Sequence, residues 1–63
     1  MIPEIYYGVM VRDTITGYVG KATAQCFYWD TGRTAYRVEG IDNTGRPVDD
    51  WIDSERLEVV EHD

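Results

Sequence analysis

Three clusters of turn-forming residues punctuate this chain, and every run between them alternates with the two-residue period of a strand. The clusters are Asp13-Thr14-Ile15-Thr16-Gly17, Asp30-Thr31-Gly32-Arg33 and Asp42-Asn43-Thr44-Gly45-Arg46-Pro47. Asp, Asn and Thr bond their own backbone, Gly supplies positive φ and Pro presets φ, so each cluster reverses the chain for a stated reason. The intervening runs are rich in aromatic and β-branched residues and show no helical period, so they read as strands near residues 5–12, 18–29, 34–41 and 48–53. A last strand is expected near 57–60, after Asp53-Ser54-Glu55-Arg56. That tetrapeptide suits one 3₁₀ turn capped by Asp53 or Ser54.

The second strand carries Gly20, Ala22, Ala24 and Cys26 on its even positions and Lys21, Thr23 and Gln25 on its odd ones. The small face should point inward, because small residues let a strand bend and let neighbouring backbones approach. The expected core is Val9, Val11, Ala22, Ala24, Val38, Leu57 and Val59, with one of the adjacent pair Trp51 and Ile52. At 63 residues there is room for one domain, with a short acidic tail at 61–63. So small a domain buries only about 60% of its unfolded surface, and the single cysteine, Cys26, offers no internal disulfide. Self-association into a homo-oligomer is the expected compensation.

Five short antiparallel strands with a 3₁₀ turn before the last describe an all-β, SH3-like barrel. A five-stranded OB-type barrel is the competitor, but it needs a helix between its third and fourth strands, and the six-residue loop Asp42 to Pro47 has no space for one. The pattern Asp13-x-x-Thr16-Gly17-Tyr18-x-Gly20-x-Ala22-Thr23-Ala24, with Trp51-Ile52-Asp53-x-x-x-Leu57 near the end, resembles short proteins encoded by bacteriophages and prophages. That resemblance implies an SH3-like fold and a phage or prophage setting, and brings no chemistry with it. The chain is also similar in size to the SH3-like plasmid-borne type II dihydrofolate reductases. Their Val-Gln-Ile-Tyr strand is answered here by Val48-Asp49-Asp50-Trp51-Ile52, whose two carboxylates do not suit that reaction.

Other chemistry is sparse. His62, the only histidine, stands next to the chain end, where a general base would not be held in place. Cys26 lies on the small face of its strand with nothing nearby in sequence to stabilise a thiolate. There is no Gly-rich phosphate loop, no zinc spacing and no calcium loop; Asp42-Asn43-Thr44-Gly45 begins like one but lacks the glutamate that would complete it. The expectation is a protein that is not an enzyme and uses no cofactor and no metal. No apolar run approaches the roughly 18 residues of a membrane helix, and Met1 to Tyr7 does not resemble a signal peptide, so a cytoplasmic or virion location without membrane contact is expected.

Two features stand above this background. Eight aromatic residues, 13% of the chain, are more than so small a domain buries easily, and Tyr and Trp are enriched at binding hot spots. Tyr18, Trp29 and Trp51 are the candidates for a protein-binding surface, with Asp13, Asp49 and Asp50 as acidic neighbours for a basic or methylated side chain. The second feature is charge. Of the net −6, residues 32–63 hold nine acids against four arginines, which disfavours direct nucleic-acid binding. The run Asp49, Asp50, Asp53, Glu55 and Glu58 is either a solubilising face or an electrostatic mimic of nucleic acid aimed at a basic host protein. The preferred expectation is an interaction module that binds itself, a host protein or a virion protein. The alternative is an acidic inhibitor of a host nucleic-acid-processing or defence complex.

Overall fold

The computed structural model describes residues 5–60, so the acidic tail at 61–63, with His62, lies outside the described residues. Five antiparallel strands, β1 (Met10–Asp13), β2 (Val19–Tyr28), β3 (Arg33–Ile41), β4 (Pro47–Asp53) and β5 (Leu57–Val59), form one sheet in the order β4-β3-β2-β1-β5. One 3₁₀ turn, Ser54–Arg56, separates β4 from β5, and the Asp53 side chain caps it by accepting from the Glu55 N–H. The described residues are therefore all-β, with the turn where the sequence puts it.

The closed barrel expected from the sequence is not formed. β4 pairs only with β3 and β5 only with β1, which leaves both as edges of an open sheet. β5 is three residues long and β4 carries Pro47, Asp49 and Asp50. Short strands, prolines and charges are features that keep sheet edges from pairing further.

The first strand is shorter than its aromatic composition suggests and begins at Met10 rather than Ile5. The Val9 N–H bonds back to the Tyr6 carbonyl at 3.1 Å, and Gly8 between them adopts a φ of 87°. Only glycine enters that region without strain, so the chain turns where Ile5-Tyr6-Tyr7 would otherwise have continued the strand. Tyr6 and Tyr7 are consequently exposed.

The core consists of Val11, Ala22, Val38 and Ile52, with Ile5, Val9, Tyr18, Leu57 and Val59 packed partly buried against it. Of the pair at the end of β4, Ile52 enters the core and Trp51 is exposed. A β-bulge corrects the expected inward face of β2. Ala22 opposes Val38 but Ala24 opposes Arg37, which leaves Thr23 as the extra residue. An inserted residue reverses the facing of everything after it. Gly20 and Ala22 are buried as expected, whereas Ala24 and Cys26 are half-buried, and Gln25 takes register with Tyr36.

Candidate functional site

The turn between β1 and β2 is built around one carboxylate. Asp13 is 2% exposed, and its Oδ1 accepts from the Ile15 N–H at 2.9 Å while Oδ2 accepts from the Thr16 hydroxyl at 3.0 Å. Arg56 reaches it from the 3₁₀ turn, with Nε donating to Oδ1 at 3.2 Å and a terminal nitrogen donating to Oδ2. The Arg56 carbonyl in turn accepts from both the Thr14 N–H and the Thr14 hydroxyl. The Arg56 guanidinium, outweighing burial, holds the Asp13 carboxyl down at about 2.

This clamp fixes the residue that follows the turn. Tyr18 crosses the inner side of the sheet and points its hydroxyl at the carbonyls of Val38 (3.2 Å) and Val48 (3.1 Å). Its ring needs the space that Gly40 leaves open: a Cβ there would stand 2.9 Å from the Tyr18 hydroxyl and 2.7 Å from the Val19 carbonyl oxygen. Burial raises the Tyr18 phenol above its ordinary value, and the charges of Asp49, Asp50 and Glu39 raise it further.

Between the turn and the start of β4 lies an open cleft of about 230 Å³. Tyr18, Val48 and Ile52 give it an apolar floor, and Thr16, Asp49 and Asp50 give it a polar, acidic wall. Asp13 and Arg56 also line it but neutralise each other. Asp49 is held by Arg37 on the neighbouring strand at 2.9 Å. Asp50 has no ion-pair partner among the described residues, and its Oδ1 accepts from the Trp51 N–H at 2.9 Å. The cleft thus offers a half-buried aromatic ring beside an uncompensated carboxylate, which suits a cationic side chain with an apolar stem.

Of the residues singled out in the sequence, Tyr18, Asp13, Asp49 and Asp50 meet in this cleft, whereas Trp51 and Trp29 do not line it. Trp51 opposes Arg37 in the β3–β4 register, one residue out of phase with the buried Ile52. Trp29 sits in the turn between β2 and β3 and is 90% exposed. The acidic run is likewise divided. Asp53 and Glu55 both pair with Arg33, at 2.9 and 3.5 Å, and Glu58 pairs with Arg12. Lys21 has no ion-pair partner among the described residues, and Cys26 is a half-buried free thiol. Sequence reasoning missed Thr16, Val48 and Arg56. Thr16 had a local signal, three residues after an aspartate; Arg56 had none, lying 43 residues from the carboxylate it binds.

No protein-family model, curated protein or solved structure matches the chain.

Proposed function

We propose that this chain is a non-enzymatic, SH3-like interaction module that receives a basic side chain of a protein partner in the Tyr18 cleft. The observation that carries the reading is the junction of the half-buried Tyr18 ring with the unpaired Asp50 carboxylate. The strand order, with a 3₁₀ turn leading into an edge strand beside β1, supports an SH3-like arrangement left open rather than closed. The resemblance of its turn and core residues to phage and prophage proteins suggests the setting, an accessory role in a bacterial host's cytoplasm or in a virion.

The alternative of an acidic nucleic-acid mimic draws less support. Asp49, Asp53, Glu55 and Glu58 each have an arginine partner, which leaves a broken track of charge rather than a continuous one.

The test is titration of the protein with an array of short peptides bearing single Arg or Lys residues. Binding should weaken as salt rises, and Asp50→Asn should weaken it by about 1 kcal/mol or more. Trp51→Ala, away from the cleft, should leave affinity unchanged. Equal binding by wild type and Asp50→Asn would overturn the proposal.

A further inference from the structure

β4 has one free edge, and the loop before it fixes which main-chain groups lie there. The Asp42 N–H bonds to the Arg46 carbonyl at 2.9 Å, one rung beyond the Ile41–Pro47 pair. Bonded rungs alternate in an antiparallel ladder, so the bonded pairs of β3 with β4 are Gly40–Val48, Val38–Asp50 and Tyr36–Ile52. The main-chain groups of Asp49 and Trp51 therefore point away from β3, along the open edge of the sheet. The Trp51 N–H is occupied by Asp50 Oδ1, at 2.9 Å. The Asp49 N–H and the carbonyls of Asp49 and Trp51 have no hydrogen-bond partner among the described residues.

The Tyr18 cleft opens on this same edge. Val48, Asp50 and Ile52 alternate onto one face of β4, and all three line the cleft. We propose that the occupant is an extended segment of the partner protein that adds to β4 as a further antiparallel strand, with its Arg or Lys opposite Asp50; this deepens the cleft reading and rests on it. In that register the residues on either side of the basic one face Asp49 and Trp51 and exchange main-chain hydrogen bonds with them, while the N–H of the basic residue points away. Its side chain falls on the cleft face, with Cβ roughly 5 Å from that of Asp50, as cross-strand neighbours stand. The incoming carbonyl takes the Trp51 N–H, which releases the Asp50 carboxylate to the cation.

Charge selects this occupant over a second copy of the chain. Pairing β4 with another β4 brings two acidic strands together, and β5 offers three residues with Glu58 at their centre. Like charges across a strand pair repel, so the edge that disfavours self-pairing favours a basic strand.

The probe is a capped peptide of one arginine with two alanines on each side, titrated into the full chain. N-methylation of either alanine next to the arginine should weaken binding about fivefold or more, because each of those N–H groups donates to β4; N-methylation of the arginine itself should change it by less than about twofold. Amide hydrogen exchange at Asp49 should slow several-fold when the peptide is saturating. Only main-chain groups of Trp51 are engaged, so Trp51→Ala should bind the peptide as the wild type does. A flat response to N-methylation, equal binding of a capped single arginine, or unchanged exchange at Asp49, with binding still dependent on Asp50, would overturn the added strand and leave the cleft reading standing. A peptide that fails to bind, or that binds Asp50→Asn equally well, overturns both.

Discussion

Asp13 is the residue on which the β1–β2 turn depends, and its chemistry is set by partners far away in sequence. A carboxylate at 2% exposure persists as an anion because Arg56, the Ile15 N–H and the Thr16 hydroxyl occupy its oxygens. Its folded value of about 2 lies below the ordinary 3.8, so between those values the unfolded chain binds more protons than the folded one. The contribution of Asp13 to stability is therefore complete above about pH 4 and is lost as pH falls toward about 2. Urea denaturation at a series of pH values should show this decline, and Asp13→Asn should flatten it while lowering stability at neutral pH. Arg56→Met should be more damaging than the loss of any exposed arginine, since it strands a buried charge.

Among the elements, β2 and β3 owe their form to what their small residues permit. Gly20 and Gly40 stand opposite each other in register, and a Cβ on Gly20 would come within 2.5 Å of the Glu39 carbonyl oxygen. Gly40→Ala has to push against both the Val19 backbone and the Tyr18 ring. It should cost about 1–3 kcal/mol, measured by denaturant melting, and should lower the affinity of the cleft for basic peptides at the same time. The bulge at Thr23 has a different role. By reversing the facing of β2 midway it withdraws Ala24 and Cys26 from the core face and leaves Gln25 beside Tyr36.

At the scale of the whole molecule, an open five-stranded sheet must keep its two edges from pairing with other chains. β5 does so by being three residues long; β4, at seven, relies on Pro47, Asp49 and Asp50. Replacing both aspartates with threonine should produce edge-to-edge association, visible as a rise in light scattering with concentration beyond that of the wild type. A scattering signal equal to that of the wild type would show that the edge is protected by other means. The exposed aromatics and the acidic edge thus act in opposite directions on association, and the net charge of −6 adds to the second.

The class of fold is legible in the residues alone, because that information is local. Turn chemistry at Asp13–Gly17, Asp30–Arg33 and Asp42–Pro47 and the two-residue alternation between them place β2, β3 and β4 within a residue of their ends, and Asp53 is where a cap was expected. Val11, Ala22 and Val38 are buried on the same logic. The remaining features depend on register and on distant pairs. One inserted residue at Thr23 reversed the outer half of β2, the turn at Gly8 delayed the start of the first strand, and the choice between Trp51 and Ile52 followed from which of them stood opposite Tyr36 of β3. The union of Asp13 with Arg56, and of Tyr18 with Asp49 and Asp50, joins segments 30 or more residues apart. Such contacts leave no periodic trace in the sequence, because they are fixed by how strands pair rather than by what any one strand contains.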